Sequence, residues 1–356
     1  MIELFKLITI FTGICRKKIC NRCILFIGPM PIGLSRKNLK TINKKDYAIL
    51  EKSDGVRYII SVVRSNFFFI SRENKISNYK SVFSKSKKEI YEIDYTFIDG
   101  ELVKNLLNQK FQYLNYDLIS FLTDWRISTW DFLTRLQAGY IVLKMSKNEI
   151  FQSKNSLFTK KDVFLKSEIV NVLDKISKNK STYTHVYYNK NRTDKIICNR
   201  NDGLVFTHIN CPYFSKNCLN FLKWKYFTAN TVDLDNTEIF SNLKSDGVCK
   251  QLYLSCFGFG RNSFLLDLSR ESIFDFDKFS NFTKFKTACI NEYAYNRFIG
   301  KWIFNKKRHE KLKPNSFRVL LNTIEMICDL LSKEEIVDKT IKSIVKNQRG
   351  KFVNNF

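Results

Sequence analysis

The chain has 356 residues, of which 44% are hydrophobic, so it suits one large domain or two modest ones and is not a disordered protein. Its 60 Lys and Arg against 34 Asp and Glu give a net charge of +26, which favours nucleic acid over an anionic membrane as a partner, although a compositional bias toward Lys, Asn, Ile and Phe would give the same excess. Ten scattered cysteines indicate reduced thiols inside a cell and argue against a small disulfide scaffold.

The first predicted element is an amphipathic helix at residues 1–15. Glu3 lies inside its apolar run and the basic residues follow that run, which is not the order found in a signal peptide. An irregular loop is predicted at residues 28–33, which contain two Gly and two Pro. Ser35 is a candidate N-cap for a helix that begins at Arg36. No run elsewhere is long enough to span a bilayer.

From residue 47 onward, short apolar or alternating runs indicate strands. We expect these strands at residues 58–63, 67–71, 95–98, 113–118, 195–198, 204–208 and 220–226. Helical periodicity predicts helices at residues 129–143, 162–178 and 316–331, and the polar stretch 178–192 is expected to be a loop or a solvated edge. After residue 226, short strands broken by glycines resemble a small β-barrel, with the breaks at Gly247, Gly258 and Gly260.

The clearest chemical motif is Lys52-Ser53-Asp54-Gly55-Val56-Arg57, in which a lysine at a strand end precedes an Asp-Gly turn and an arginine. Nucleotide transfer through a lysine requires a neutral amine, so the pKa of Lys52 must be lowered by cationic neighbours or by burial. Arg57 would hold a ribose or a phosphate, and Gly55 would let the backbone turn close to a nucleotide. An ordinary turn between surface charges explains the same residues equally well.

Three further patterns follow in chain order. Asp99-Gly100-Glu101 ends a predicted strand, where a carboxylate would contact a ribose or Mg²⁺. Asp202-Gly203 precedes another strand. Lys223 and Lys225 are two residues apart on a strand, so they share a face and would clamp an α-phosphate and lower the pKa of Lys52. Each pattern alone is equally typical of a turn or of a solvated strand face.

In their order and spacing these motifs resemble those of the GTP:mRNA guanylyltransferases, which belong to the covalent nucleotidyltransferases together with ATP-dependent DNA ligases and RNA ligases. Residues 52–57 are similar to the KxDGxR nucleophile block of that superfamily. Residues 67–72 resemble an aromatic block that ends in Asp-Arg, with Ser71 in place of the Asp. The other blocks, DGELV, DGLI and LKWK, are similar to residues 98–103, 202–205 and 222–225.

Two segments favour capping enzymes over ligases. Residues 28–47 resemble the FPGSQPVSMDRKN segment that precedes the nucleophile in capping enzymes, and residues 302–315 resemble their closing block, WxxxRxRxDKxxPN. Lys306 stands where the family has Arg, which keeps the charge but loses bidentate contact with phosphate. Glu310 stands where the family has Asp. The matching positions of this block are Arg308, Lys311, Pro314 and Asn315.

The resemblance implies an α+β protein with two domains. Residues 1–226 would form a nucleotidyltransferase domain of antiparallel sheets with flanking helices, and residues 227–356 an OB-fold β-barrel domain with a C-terminal helix. GTP would bind as the substrate in the cleft between them. Lys52 would attack its α-phosphorus, and a 5′-diphosphate RNA end would then take the GMP to form a GpppN cap.

The resemblance also implies a set of site residues. Mg²⁺ or Mn²⁺ would be held by Glu101 and Asp202. Guanine would lie between Phe68 and Val205, because Phe67 and Phe69 are better explained as core residues. The implied GTP-binding residues are Arg57, Arg72, Phe68, Glu101, Asp202, Val205, Lys223, Lys225, Lys306, Arg308 and Lys311, of which the last three would hold the β and γ phosphates.

The implied partners are 5′-diphosphate RNA, a separate RNA 5′-triphosphatase and the phosphorylated tail of RNA polymerase II, with no membrane. The expected compartment is a nucleus, and the composition suggests either a nucleomorph or the nucleus of a parasite. Two alternatives stay open. An ATP-dependent polynucleotide ligase would form its adduct from ATP, and a non-catalytic basic RNA-binding protein would form no adduct and would lose RNA affinity steeply with salt.

Overall fold

The computed structural model describes most of the chain in two compact units. The described residues are 28–63, 66–72, 75–79, 95–145, 158–179, 182–188, 194–214, 218–239, 251–257, 263–266, 289–298, 300–309, 311, 314–329 and 331–342. The first unit is built mainly from Asn38–Trp224. The second comprises Gly33–Lys37 and Lys225–Lys333.

Strands dominate the described residues between 28 and 225. They are β1 (Ile32–Gly33), β2 (Tyr47–Ser53), β3 (Val56–Val63), β4 (Asn66–Ser71), β5 (Ile76–Tyr79), β6 (Phe97–Lys104), β7 (Phe111–Ser120), β8 (Phe158–Lys160), β9 (Val163–Leu165), β10 (Ile176–Asn179), β11 (Thr182–Tyr188), β12 (Lys195–His208) and β13 (Phe221–Lys225). β-Branched and aromatic residues make up most of β3, β4 and β11, as strand propensity favours.

The first sheet has six strands in the order β5-β4-β3-β6-β7-β8. Neighbours are antiparallel except for β7 and β8, which are parallel. Successive side chains point to opposite faces of the sheet, so each face has its own apolar cluster. One cluster includes Ile60, Phe67, Phe69 and Tyr113. The other includes Ile59, Phe68, Phe97 and Tyr213.

The second sheet has seven strands, with the path β1-β13-β12-β11-β10 and with β2 paired to both β12 and β9. The pairs β10–β11, β11–β12, β12–β2 and β2–β9 are all antiparallel. The chain passes from the first sheet to the second between β8 and β9, across Lys161 and Asp162. These two residues therefore connect the sheets that carry the predicted site motifs.

Helices α1 (Arg36–Lys44), α2 (Phe132–Met145) and α3 (Ile169–Asp174) accompany these sheets, and the part of the chain that the structure describes ends in a further helical stretch at residues 333–342. Helix α1 begins directly after Ser35, as predicted, and buries Leu39 and Ile42. Helix α2 packs Phe132 and Leu136 against Ala48 and Leu50 of β2. Helix packing thus supports the strand that ends in the Lys52 motif.

The described residues of the second unit form five antiparallel strands and one long helix. The strands are β14 (Thr231–Ile239), β15 (Gln251–Phe257), β16 (Ser263–Leu266), β17 (Cys289–Asn296) and β18 (Lys301–Lys307), in the order β16-β15-β14-β17-β18. Helix α4 (Phe317–Asp329) contributes Leu320 and Ile327 to a core with Val232, Tyr293 and Trp302. Among the described residues, the pairing runs from β16 to β18 without closing into a barrel.

Several elements predicted from the sequence are confirmed. The strands expected at residues 58–63, 67–71 and 113–118 lie within β3, β4 and β7, and the helices expected at residues 129–143 and 316–331 correspond to α2 and α4. No helix among the described residues is both long and apolar enough to cross a membrane. Some predictions fall outside the described part of the chain: the helix at residues 1–15, the breaks at Gly247, Gly258 and Gly260, and the position of Glu310.

Other predictions are wrong in type or in extent. Residues 162–178 were expected to form one helix, but they contain β9, the short α3 and most of β10. Residues 163–165 form a strand because they pair with residues 48–50 of β2, and tertiary pairing of this kind overrides helical propensity. The stretch 178–192 contains β11, which pairs with β12 on one side and with the edge strand β10 on the other.

Two motifs lie inside strands and not at their ends. Asp99-Gly100-Glu101 was expected to follow a strand at residues 95–98, but β6 continues to Lys104. The strands predicted at residues 195–198 and 204–208 are parts of the single strand β12, and Asp202-Gly203 lies in its interior. Both motifs therefore present their side chains from a sheet surface.

Candidate active site

Lys52 is the penultimate residue of β2 and lies beside the carboxylate of Asp202. Its Nζ is 2.7 Å from Oδ2 of Asp202, and the two side chains are 21% and 23% exposed. Most of the lysine side chain is therefore buried, and about a fifth of it is exposed.

The electrostatic environment of Lys52 is dominated by carboxylates. Burial is the largest single influence and lowers the pKa of Lys52, but Asp202, Glu101 and Asp54 together outweigh it and raise the pKa above its ordinary value. The expectation that neighbouring cations lower this pKa is therefore wrong for the environment described. The ammonium must lose its proton before it can act as a nucleophile.

A β-bulge in β12 brings Asp202 to Lys52. Gly203 pairs with Lys52 and Asn201 pairs with Ser53, so Asp202 is an extra residue between two paired positions. Oδ1 of Asn201 accepts a hydrogen bond from the backbone N–H of Gly203 at 2.9 Å. Gly203 has a φ of 145°, which favours glycine. The acid–glycine pair thus encodes a bulge that directs a carboxylate toward the lysine.

Gly55 allows the turn after Lys52 to pack closely against β6. A Cβ atom at Gly55 would lie 2.6 Å from the carbonyl oxygen of Leu102 and 2.9 Å from Cγ of Glu101. These distances are shorter than real Cβ contacts, so a larger residue would push the turn away from β6. Close packing at this glycine explains why Glu101, on the first sheet, influences the pKa of Lys52, on the second.

A buried polar network surrounds Glu51, which points to the face of β2 opposite Lys52. The carboxylate of Glu51 accepts hydrogen bonds from Oγ of Ser53, from the hydroxyl of Tyr187 at 2.8 Å and from Nδ2 of Asn201 at 2.9 Å. Burial raises the pKa of Glu51, but Lys161, His185 and two of these hydrogen bonds outweigh it and lower the pKa to about 2. Glu51 is therefore an anion in the folded protein at neutral pH.

Glu51 should make the stability of the first unit sensitive to acid. Its folded-state pKa lies below the ordinary value of 4.5, so the stabilisation is complete above about pH 5 and is lost as the pH falls toward 2. A shift of this size corresponds to about 3 kcal/mol. We expect the difference in free energy of unfolding between wild type and Glu51→Gln to shrink as urea denaturation is repeated from pH 6 down to pH 3. A difference that stays constant over this range would contradict the assignment.

Lys161 was missed by the sequence analysis, because Lys160-Lys161-Asp162 is an ordinary run of charges. Its side chain is only 4% exposed. Its Nζ lies 3.0 Å from Oγ of Ser53, 3.4 Å from Oε1 of Glu51 and 3.4 Å from Oε2 of Glu101. The ammonium thus joins the network around Glu51 to the carboxylate that faces Lys52.

Arg57 is buried in an ion pair with Asp99. The guanidinium donates from Nε to Oδ1 of Asp99 at 3.0 Å and from Nη2 to Oδ2, and Nη1 donates to the carbonyl oxygen of Pro29 at 2.6 Å. Asp99 also accepts hydrogen bonds from the hydroxyls of Tyr116 and Tyr213. Much of the donor capacity of Arg57 is therefore used inside the protein. Its contact with GTP stays a prediction.

The predicted guanine contacts are Phe68 and Val205. Phe68 lies on the face of the first sheet that carries Asp99, and Val205 lies on the face of the second sheet that carries Lys52. Phe68 is 7% exposed and packs with Ile59, whose paired neighbour across the strands is Asp99. Val205 is half-buried and lies two residues from Gly203, the partner of Lys52. Phe67 and Phe69 belong to the core on the opposite face, as predicted. No bound base is needed to explain the burial of Phe68, so its role remains a prediction.

Three further predicted cations are Arg72, which follows β4, and Lys223 and Lys225, which lie in β13. Arg72 is exposed after β4 and lies within electrostatic reach of the Tyr116 phenol, whose pKa is raised mainly by burial. Lys223 and Lys225 are both half-buried on either side of the buried Trp224, which confirms that they share a face. Nζ of Lys225 donates to the carbonyl oxygen of Ala229 at 2.9 Å. Their contact with an α-phosphate is not tested by these positions.

The closing-block cations surround two buried acids in the second unit. Asp233 and Glu292 are paired across β14 and β17, so two like charges lie side by side. Arg308 donates to both carboxylates, and Lys311 donates to Asp233. Lys306 is exposed at the end of β18. Asn315 fixes the same strand through hydrogen bonds with the backbone of Asp233, at 2.7 and 2.8 Å.

Glu101 and Asp202 fit the donor set of a catalytic divalent cation. Both carboxylates act on the same ammonium, that of Lys52, so they flank one small region. Mg²⁺ typically takes one or two carboxylates together with substrate phosphates and water. Mn²⁺ also accepts oxygen ligands. The residues present therefore suit a cation that is shared with a bound phosphate.

Comparison with known proteins identifies the family to which these motifs belong. Residues 12–227 match the family model described as the mRNA capping enzyme, catalytic domain. The mRNA-capping enzyme subunit alpha of Schizosaccharomyces pombe is 24% identical over 344 residues, which cover 88% of this chain and 79% of that protein. The mRNA-capping enzyme of Mus musculus is 22% identical over 335 residues, which cover 88% of this chain and 50% of that protein. The chain thus spans about half the length of the mouse relative.

Solved structures give a weaker likeness. A structure titled mycobacterial DNA ligase D complexed with ATP and MES has 12% identity and a TM-score of 0.40, covering 80% of this chain and 96% of that one. A structure titled Pmar-Lig_Pre. has 14% identity and a TM-score of 0.39, covering 80% of this chain and 68% of that one. Scores of this size do not by themselves establish a shared fold.

Proposed function

This chain belongs to the family of mRNA capping enzyme catalytic domains, and from that premise we propose that it is an mRNA guanylyltransferase. It would transfer GMP from GTP through a covalent lysine adduct to 5′-diphosphate RNA. The observation that carries the proposal is the amine of Lys52, held 2.7 Å from Asp202 at the nucleophile position of the KxDGxR motif. That motif lies within the matched residues 12–227.

The reaction would proceed in two balanced displacements at phosphorus. First, Nζ of Lys52 attacks the α-phosphorus of GTP, the bond to the β-phosphate oxygen breaks and pyrophosphate leaves. Next, a terminal oxygen of the RNA 5′-diphosphate attacks the same phosphorus, and the P–N bond to Lys52 breaks. The RNA then carries a GpppN cap, and the lysine amine is restored.

Asp202 is the proposed proton acceptor for the first step. The pKa of Lys52 is raised, so its amine carries a proton that must leave before or during attack. Oδ2 of Asp202 already accepts a hydrogen bond from that amine. A divalent cation held by Glu101 and Asp202 would supply charge stabilisation to the phosphate oxygens.

The remaining residues have proposed binding roles. Phe68 and Val205 would enclose the guanine, and Lys223 and Lys225 would clamp the α-phosphate. Arg57 would hold the ribose or a phosphate, and Arg72 would also contact GTP. Lys306, Arg308 and Lys311 would orient pyrophosphate for departure, and Arg308 and Lys311 would exchange their present carboxylate contacts for phosphate. We also propose that the strands β14–β18 belong to an OB-fold domain, with domains at residues 1–226 and 227–356.

The biological setting follows from the proposed activity. The enzyme would act on pre-mRNA in a nucleus, either a nucleomorph or the nucleus of a parasite. It would receive RNA from a separate RNA 5′-triphosphatase and would bind the phosphorylated tail of RNA polymerase II. These partners rest on the family resemblance alone.

The identity of the nucleotide in the adduct tests the proposal against both alternatives. The purified chain is incubated with α-labelled GTP or ATP and Mg²⁺ or Mn²⁺, and the protein is separated under denaturing conditions. We expect the protein to be labelled by GTP only. Added pyrophosphate should convert the labelled GMP adduct back to GTP, and added 5′-diphosphate RNA should remove the label from the protein as a cap. RNA with a 5′-monophosphate serves as the control acceptor. An adduct from ATP alone would indicate a ligase, and no adduct with either nucleotide would favour an RNA-binding protein.

A further inference from the structure

We propose that Lys161 is a positioning residue that holds the two sheets of the first unit together beneath the reacting lysine. The proposal rests on the guanylyltransferase function inferred above and concerns a residue outside every motif that suggested it. Lys161 is buried, and its ammonium is occupied by three acceptors, so it acts through its neighbours and not on the substrate.

Lys161 lies where the backbone passes from the first sheet to the second. Residues 158–160 form β8, which pairs with β7 in the first sheet. Residues 163–165 form β9, which pairs with β2 in the second. The backbone N–H of Lys161 donates to the carbonyl oxygen of Asn115 at 2.8 Å, so its main chain is anchored to the first sheet at the crossing point.

The side chain of Lys161 spans the same boundary. Its ammonium contacts Ser53 and Glu51, which are the residues on either side of Lys52 in β2 of the second sheet. The same ammonium contacts Glu101 in β6 of the first sheet. One cation thus fixes both neighbours of the nucleophile relative to a carboxylate that acts on the nucleophile.

Charge balance explains why a cation is needed there. Glu51 and Glu101 approach the same point from different sheets, and both contact the Lys161 ammonium at 3.4 Å. Without it, two buried or nearly buried carboxylates would face each other, which favours separation of the sheets. The Tyr116 ring, 5.5 Å from the ammonium, adds a cation–π contact on one side.

A comparison of two neighbouring lysines tests the proposal. Lys161→Met removes the charge at similar length, and Lys160→Met is the matched control, because Lys160 lies one residue away with its ammonium over the ring of Tyr140. Single-turnover formation of the GMP adduct is followed over a range of GTP concentrations. We expect Lys161→Met to lower the maximal rate about 10- to 100-fold and to leave the half-saturating GTP concentration within about threefold. Lys160→Met should stay within about twofold of wild type.

A second readout does not depend on activity. Hydrogen exchange of the backbone amides in residues 47–53 and 97–104 is measured by mass spectrometry, and Lys161→Met should speed exchange in both segments while Lys160→Met leaves both unchanged. If Lys161→Met does not fold, Ser53→Ala removes one acceptor without leaving a charge unpaired and should lower the maximal rate about 2- to 10-fold.

The outcomes separate this proposal from the proposed function. A Lys161→Met rate within about twofold of wild type, or a half-saturating GTP concentration that rises as much as the rate falls, would overturn the positioning role. If the wild-type chain forms no adduct with GTP or ATP, the guanylyltransferase function fails. The exchange data then decide the bridging role: faster exchange in both strands supports it, and unchanged exchange in either strand overturns it.

Discussion

Lys52→Arg is expected to abolish the covalent adduct with GTP while leaving the protein folded. Arginine keeps a positive charge beside Asp202, 2.7 Å from Nζ of the native lysine, but a guanidinium cannot be deprotonated in a protein and so cannot attack phosphorus. We expect the rate of adduct formation to fall by at least about 10³-fold, measured as label incorporated from α-labelled GTP in a single turnover.

Lys175→Arg is the matched control for this substitution. Nζ of Lys175 lies 2.6 Å from Oδ2 of Asp162, and the two side chains are 25% and 33% exposed, close to the values for Lys52 and Asp202. The same chemical change in a similar ion pair should therefore leave adduct formation near the wild-type rate. Peptide mapping of the wild-type adduct should locate GMP on Lys52. Mapping to Lys161, or an adduct that survives Lys52→Arg, would show that the nucleophile has been misassigned.

The sequence was sufficient to predict the local parts of the site. Short apolar runs predicted β3, β4 and β7, because both faces of the first sheet are covered by apolar clusters and its strands are therefore largely apolar. The motif at residues 52–57 placed a lysine near the end of a strand and a glycine in the turn that follows. Gly55 proved necessary for a steric reason that involves β6, a strand more than 40 residues away, and no local pattern contains that information.

The errors share one physical cause, which is pairing between distant segments. Residues 163–165 have periodicity compatible with a helix, yet they form β9 because the edge of β2 is available to them. Asp202 was expected in a turn before a strand, but the pairing of Asn201 and Gly203 with β2 turns it into the extra residue of a bulge. Each outcome depends on a partner strand that the local sequence does not specify.

The electrostatic prediction for Lys52 failed for a related reason. The motifs suggested cationic neighbours that would lower its pKa, whereas Asp202, Glu101 and Asp54 raise it. Those acids come from three different positions along the chain, and their combined effect depends on how the two sheets meet. Lys161 lies at that junction, which is why a residue with no motif of its own emerged only from the structure.

Asp99→Asn is expected to destabilise the first unit by about 3–5 kcal/mol, because it leaves the buried guanidinium of Arg57 without its counter-charge. Asp99 is fully buried, and Arg57 is 6% exposed. For a unit of this size, such a loss should lower the melting temperature by more than about 6 °C, measured by differential scanning calorimetry. A guanidinium keeps its proton in a folded protein even without a counter-charge, so the cation cannot escape the penalty by losing its proton.

Asp124→Asn separates the effect of burial from that of geometry. Arg126 donates to Asp124 through Nε and Nη2 at 2.9 and 2.8 Å, the same bidentate arrangement as Arg57 with Asp99, but these side chains are 87% and 35% exposed. Removal of the charge there should leave the melting temperature unchanged within error. Equal effects of the two substitutions would show that burial of the Arg57–Asp99 pair is not what stabilises the sheet. A large effect confined to Asp99 would instead identify the buried Arg57–Asp99 pair as an anchor of the first unit. This anchor holds the segment that precedes α1 against β3, because Nη1 of Arg57 donates to the carbonyl oxygen of Pro29.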